Sequence, residues 1–453
     1  MKQLRKIAIF TIIFILIIMP ITILATDINT NDYNPDNITT NSPSVILMDA
    51  KTGKILYSKN AFEQRYPAST TKIMTAILAL ENCKLTDVAT VSHDAIFNVP
   101  VGYSHASLQE GEMLTIEQLL NVLLIPSAND AAFVLAEHIA GSVDNFSEMM
   151  NNKAKEIGCL NTHFVNPNGI HNDDHYSTAY DLALIGKYAM QFNDIMRIAM
   201  VNQYTLPKTN KYDREDRIFN TTNGLVTKNS EYYYPETTGM KTGYTDKSGY
   251  CIVTTAKKDD VELIAVVLGS NTIKERYEDC IKLFNYGFDN YSYQTLNTAN
   301  EVIDSVEIAG ATKETKSLNI VAKDDINVLA KNNISDDEIK KTVEINENLS
   351  APIKQNAVVG KLSYEIEGET YSTDLIASSA VVASNFETIL FRALLIFLIL
   401  FLLVVILKKI NKPKGSNYTY GIKHSKKAKR VKSKKGGRYK FIRINRIFIN
   451  HSK

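Results

Sequence analysis

The chain has 453 residues, 45% of them hydrophobic, with a formal net charge of +2. It is long enough for two folded domains, each with its own core, and for membrane-crossing segments besides. Its four cysteines, Cys83, Cys159, Cys251 and Cys280, lie far apart with no CxxC or Cys/His spacing; this argues against a zinc or redox centre and favours buried free thiols.

The small net charge conceals a segregation. From Lys408 to Lys453 there are 17 Lys/Arg and no Asp/Glu, so the remainder carries 34 basic and 49 acidic residues. The two parts are expected to face different environments.

At the N-terminus, Lys2, Arg5 and Lys6 precede an uncharged apolar run from Ile7 to Ala25, the pattern of a secretory signal peptide or a retained anchor over residues 1–25. Residues 26–43 are dense in Asn, Asp and Thr and read as a disordered spacer. The folded part is expected to begin at residue 44. Val45-Ile46-Leu47-Met48, then Asp49-Ala50-Lys51-Thr52-Gly53, then Lys54-Ile55-Leu56-Tyr57 is strand, turn, strand. From Pro67 to about Tyr188 the periodicity is helical, with Ile73, Met74, Ile77 and Leu78 on one face. A Thr115-x-x-Gln118 capping box stands ahead of Leu119, Leu120, Leu123 and Leu124.

Strands return after Gly239, with Tyr250 to Ala256 and Val261 to Leu268 around a polar turn, and a helix from about Lys274 to Tyr286 closes the domain near residue 290. Strand, helical block, strand implies a sheet whose two ends meet across a helical insertion. Residues 295–375 alternate in short strands and form a second, small β-rich domain. Residues 388–407 are apolar enough to span a bilayer if Arg392 snorkels. The lysines that follow place the basic tail, 408–453, in the cytoplasm and the acidic bulk outside.

The chemistry begins at Pro67-Ala68-Ser69-Thr70-Thr71-Lys72. Residues i and i+3 share a helix face, which puts Lys72 within reach of the Ser69 hydroxyl. Serine is a poor nucleophile until a neighbouring base takes its proton, and a partly desolvated lysine can do so. An isolated S-x-x-K is weak evidence. Ser127-Ala128-Asn129 between two predicted helices, and Lys241-Thr242-Gly243 entering the strand region, make it strong by their order. In this set Ser127 can relay a proton to the leaving amine and Asn129 can hold a substrate amide. Lys241 supplies positive field for a substrate carboxylate, and Gly243 would let substrate approach the strand closely. A second K-T-G, Lys51-Thr52-Gly53, precedes the serine inside the hairpin turn and reads as structural.

These three motifs, with the flanking Asn161 to Gly169 and His175 to Ala179, resemble the low-molecular-mass penicillin-binding proteins, and among them the serine-type D-alanyl-D-alanine carboxypeptidases; the resemblance covers about Ser44 to Phe288. It implies an α/β (α+β) fold of the β-lactamase/transpeptidase kind, with a central antiparallel sheet and helical insertion. It further implies that Ser69 forms an acyl-enzyme with the penultimate D-alanine of peptidoglycan pentapeptide stems, releases the terminal D-alanine, and is trapped by β-lactams. By the same resemblance the backbone N–H groups of Ser69 and Tyr244 form an oxyanion hole and Arg276 helps hold the terminal carboxylate. Ala128 stands where glycine is frequent in the family, and Ser248-Gly249 where alanine-glycine is common. Neither removes a reacting group.

Two rivals are a non-hydrolytic penicillin-binding sensor and a class A-like β-lactamase. The latter needs a glutamate that activates water, and Glu156-Ile157-Gly158-Cys159-Leu160-Asn161 has one residue too many for it. No metal or cofactor is expected: His171, Asp173, Asp174 and His175 read as a polar loop. For the basic tail, anionic membrane lipids are the expected partner rather than nucleic acid.

Overall fold

The computed structural model describes residues 32–411. The expected N-terminal signal or anchor and nearly all of the basic tail lie outside the described residues. The chain divides into two units, one ending at Val382 and the other starting at Ala383.

The first unit is built on a five-stranded antiparallel sheet: β1 (Ser44–Asp49), β2 (Ile55–Lys59), β3 (Thr237–Thr245), β4 (Gly249–Lys258) and β5 (Val261–Ser270), in the order β2-β1-β5-β4-β3. The β1–β2 hairpin thus joins strands that come two hundred residues later, as the sequence pattern requires. Both faces of the sheet are covered, which is why β1 reads as a continuous apolar run rather than an alternation. Ile46 and Met48 face one core, with Ile73, Met74 and Ile77. Val45 and Leu47 face the other, with Cys280, Leu283 and Phe284.

The first core belongs to the helical insertion between β2 and β3. Its helices include α1 (Lys72–Asn82), α2 (Ile116–Leu124), α3 (Asn129–Ala140), α4 (Val143–Ile157) and α5 (Ala179–Ala189). The capping box of α2 is formed as expected, Thr115 Oγ1 accepting from the Gln118 N–H while Gln118 Oε1 accepts from the Thr115 N–H. The second core lies under α6 (Ile273–Asn290), slightly longer at both ends than its sequence signal.

Residues 32–43 differ from the expected spacer. The Tyr33 N–H donates to Ser58 Oγ at 2.7 Å, and the Asn41 and Ser42 N–H groups donate to the Asp279 carboxylate on α6 at 3.1 and 2.7 Å. Composition made this stretch look unable to order itself because it has little to bury. Here hydrogen bonds to a fully buried carboxylate take the place of apolar contact.

The β-rich part begins at Tyr291, ahead of the expected 295. A ribbon, Tyr291–Asn297 with Ile326–Lys331, accompanies a five-stranded antiparallel sheet ordered Val302–Glu307, Ser317–Ala322, Glu369–Ala377, Val358–Ile366, Lys340–Ile345. It meets the first sheet at the β1–β2 turn. Lys54 Nζ donates to Leu329 O at 3.1 Å and pairs with Glu367 at 2.6 Å, and the Tyr293 hydroxyl donates to the Asp49 carboxylate at 2.9 Å. Asp49 also accepts from the Thr52 N–H and hydroxyl, and Gly53 takes φ +86°. The early K-T-G is therefore a turn, and the turn is a domain dock.

In the second unit, α7 (Asn385–Ile410) carries a largely apolar stretch of 23 residues, Thr388–Ile410. It is long enough to cross a membrane and is a candidate anchor.

Candidate active site

Ser69 lies in a single 3₁₀ turn, Ala68–Thr71, that feeds directly into α1 at Lys72. Ala68 adopts φ +49°, a left-handed conformation uncommon for a residue with a Cβ. The turn is clamped from two sides. On one, a Cβ on Gly169 would fall 1.8 Å from the Ala68 carbonyl oxygen; on the other, a Cβ on Gly243 would fall 2.9 Å from the Ser69 nitrogen and 3.0 Å from Ala68 Cβ. Gly243 thus serves to let β3 lie against the serine turn, whereas the sequence suggested room for substrate at that strand.

Lys72, one helical step on, is fully buried. Its Nζ lies 2.8 Å from Ser69 Oγ, 2.8 Å from Asn129 Oδ1 and 2.9 Å from the Asn168 carbonyl oxygen. Burial, reinforced by the positive charge of Lys241, holds its pKa well below the ordinary lysine range, with Asp130 a weaker opposing influence. A neutral amine at this point can still donate to Asn129 and Asn168 while its lone pair faces the serine hydroxyl.

The S-A-N segment leads into α3. Ser127, also left-handed at φ +70°, is nearly buried, and Asn129 opens the helix. Asn129 Nδ2 and its backbone N–H both donate to the Ser104 carbonyl, at 2.8 and 2.9 Å, which fixes the amide so that Oδ1 faces Lys72. The adjacent Asp130 accepts from the Ala106, Leu108 and Ala131 N–H groups, binding the 104–108 loop to the start of α3. Behind that loop a buried Arg217 pairs with buried Glu112 and donates to the Ala106 and Ser107 carbonyls.

On β3, Lys241 is buried and its Nζ donates to the Thr242 carbonyl at 2.9 Å; burial and then the nearby Arg276 push its pKa down to about 7. Thr242 Oγ1 lies 2.6 Å from Thr222 Oγ1. Tyr244 is half exposed, with its hydroxyl donating to Asp246 and its ring 4.4 Å from that of Tyr250. Arg276, on α6, is buried. It is 5% exposed, lies 4.3 Å from the Tyr277 ring and 5.6 Å from that of Tyr250, and donates only a long bond of 3.4 Å to the Cys251 carbonyl, while its Nε is buried without a partner. No carboxylate pairs with it among the described residues.

Ser69, Ser127, Asn129, Thr242, Gly243, Tyr244 and Arg276 line one cleft of about 470 Å³. Lys72 and Lys241 do not line it and approach from beneath. Ser104, Thr222 and Ile170 are also among its walls and carry no motif signal, since each is brought from a loop by tertiary contact. The cleft can bind an anion at Arg276 beside a serine with an adjacent buried amine. Glu156 is elsewhere, exposed near the end of α4 and paired with Lys153, so it supplies no water-activating carboxylate here. His175 is buried, accepting the Val165 N–H at Nδ1 and meeting Thr71 Oγ1 at Nε2, with burial pushing its pKa down to about 3. It props the serine turn.

Residues 29–272 match the family described as D-alanyl-D-alanine carboxypeptidase, and residues 291–383 match the penicillin-binding protein 5 C-terminal domain. Among similar proteins, D-alanyl-D-alanine carboxypeptidase DacF of Bacillus subtilis is 34% identical over 74% of this chain and 84% of its own length. DacA of Escherichia coli K12 is 31% identical over 76% and 85% respectively. The crystal structure of penicillin binding protein 5 from Haemophilus influenzae covers 77% of this chain and 99% of that one at 29% identity, with a TM-score of 0.62.

Proposed function

Because the chain belongs to the D-alanyl-D-alanine carboxypeptidase family, we propose that it removes the terminal D-alanine of peptidoglycan pentapeptide stems through an acyl-enzyme on Ser69. The observation that carries this reading is the fully buried amine of Lys72 at 2.8 Å from Ser69 Oγ, with burial holding its pKa well below the ordinary lysine range. Neutral Lys72 takes the serine proton as Oγ attacks the carbonyl of the penultimate D-alanine. The oxyanion that develops is met by the backbone N–H groups of Ser69 and Tyr244, on segments that Gly243 holds in contact. Lys241, Thr242 and Arg276 bind the terminal carboxylate, and the unpaired guanidinium of Arg276 supports that assignment. Asn129 orients the substrate amide. Ser127 passes its proton to the leaving amine as the C–N bond breaks and is reprotonated with the proton Lys72 took from Ser69. Water then attacks the ester carbonyl, the bond to Ser69 Oγ breaks, and the shortened stem leaves as a carboxylic acid with the Ser69 hydroxyl restored. A β-lactam ring opened by Ser69 would yield the corresponding stable ester.

The chain is proposed to sit on the outer face of the membrane, carried there by the N-terminal apolar run and held by α7, with its basic tail inside against anionic lipid headgroups.

The deciding experiment labels membranes with a fluorescent penicillin and measures D-alanine release for wild type and Ser69→Ala. Loss of both in the variant, by roughly a thousandfold or more for release, is expected. Retention of both would refute the assignment, and labelling of wild type without release would favour a penicillin-binding sensor.

A further inference from the structure

One wall of the cleft, with Ser127 and Asn129, is aimed by a single residue of the neighbouring loop. Ser104 gives its carbonyl to both Asn129 donors, at 2.8 and 2.9 Å, and its Oγ donates to the Ser127 carbonyl at 3.2 Å. The loop from 104 to 108 has no regular secondary structure, and Ser107 within it takes φ +53°. Its shape is therefore imposed from outside.

Two buried side chains impose it. Asp130 takes the N–H groups of Ala106 and Leu108, and Arg217 takes the carbonyls. Arg217 Nη1 donates to Ala106 O and Ser107 O, each at 3.2 Å, while Nη2 pairs with the fully buried Glu112. Glu112 is itself fixed, accepting the Gln109 N–H at 2.9 Å and the Thr209 hydroxyl at 2.7 Å. Arg217 also reaches the opposite wall through its own chain. It opens the strand Arg217–Asn220, paired with Gln203–Leu206, which leads to Thr222, whose Oγ1 lies 2.6 Å from that of Thr242. One guanidinium thus stands between the Ser127 wall and the Thr242 wall.

A buried ion pair adds little to stability beyond what well-packed apolar side chains of the same volume would give. Such side chains could fill this space, but they could not hold two loop carbonyls. We propose that Arg217, seated by Glu112, is a positioning residue for acylation: it fixes the 104–108 loop so that Ser104 holds Asn129 and Ser127 in place beside Ser69. Arg217 touches no substrate and acts through Ser104. This role rests on the carboxypeptidase reading and adds to it a residue outside the three motifs.

The test measures the rate of acylation by a fluorescent penicillin, per molecule labelled at completion, on the full chain in detergent, alongside thermal melts. Arg217→Lys keeps the charge but offers one ammonium in place of the fork. The double variant Glu112→Met with Arg217→Met replaces the pair by apolar side chains. Both are expected to be acylated roughly 10- to 100-fold more slowly than wild type, with the double variant melting close to wild type. In an Asn129→Ala background, Arg217→Lys should cost much less than it does alone, because the amide it positions is gone. A pair that only stabilised the fold would lower melting without slowing acylation of the folded molecules. Wild-type acylation rates in the folded variants, losses that add fully in the Asn129→Ala background, or failure of every variant to accumulate as folded protein would each overturn the role. D-alanine release by wild type is a separate control. Its absence would strike at the carboxypeptidase reading, while the labelling rates would still decide for or against Arg217.

Discussion

Gly169 packs so closely on Ala68 that a methyl group on its Cα would sit 1.8 Å from the Ala68 carbonyl oxygen, and Gly169 itself has φ +81°. The Ser69 turn is therefore held by backbone meeting backbone, with no side chain able to yield. Gly169→Ala is expected to fail to accumulate as folded protein, because the clash adds to a left-handed penalty of about 1–2 kcal/mol. Gly243→Ala meets atoms at 2.9–3.1 Å; it should fold but lose roughly 10- to 100-fold in kcat/KM as strand and turn move apart. Thermal melts and steady-state kinetics on the two variants separate the effects.

The two buried lysines predict opposing limbs in the pH profile. In the proposed mechanism Lys72 works as a base only when neutral, so kcat/KM is expected to rise with pH through its pKa, which burial and Lys241 hold well below 10.5. In the same mechanism Lys241 attracts the substrate carboxylate only when charged, and its pKa is pushed down to about 7, so kcat/KM is expected to fall as pH rises through neutrality. In Lys241→Met the falling limb should vanish. The rising limb should shift to higher pH, because a positive neighbour of Lys72 is gone. A profile of D-alanine release from pH 5 to 10 checks both.

Asp130 touches no substrate in the proposed mechanism, yet its carboxylate satisfies the Ala106 and Leu108 N–H groups on the loop that also presents the Ser104 carbonyl to Asn129. Asp130→Ala is expected to cost about 2–4 kcal/mol in urea unfolding, the loss of partners for two buried donors. It should also depress the rate of penicillin acylation, since the Asn129 amide loses its support.

This division marks what sequence could and could not convey. Ser69, Lys72, Ser127, Asn129 and the strand residues Lys241 to Tyr244 were legible because the chemistry demands residue types in fixed local spacings, and the sheet was legible from apolar runs bounded by turns. Ser104, Thr222 and Asn168 carry no such signal. Ser104 and Asn168 contribute backbone carbonyls, which almost any residue could supply, and Thr222 meets Thr242 with a hydroxyl from a loop that folding alone brings there. The order of residues 32–43 carries no local signal for a related reason: it depends on Asp279, more than two hundred residues away.

The dock between the β1–β2 turn and the β-rich part has its own test. Lys54→Met leaves Glu367, 19% exposed, and the Leu329 carbonyl without their donor. A loss of about 2 kcal/mol is expected, with D-alanine release from short peptides retained.

Ending the chain after Val382, where the first unit stops, should move the protein from the membrane to the soluble fraction with its penicillin labelling intact. Fractionation of cells making the two lengths decides this. Loss of labelling in the soluble form would show that residues beyond Val382 support the catalytic unit.

Ser127 keeps a hydroxyl in the cleft at φ +70°, where glycine would rest more comfortably. Selection for heat resistance alone would thus be drawn toward Ser127→Gly, and a screen that scores only survival of the fold would enrich proteins that no longer turn over. With Ser127 in its proposed role of proton relay, thermostability and the retention of a working enzyme are opposed at this position, so any attempt to harden the chain must select on release of D-alanine at the same time.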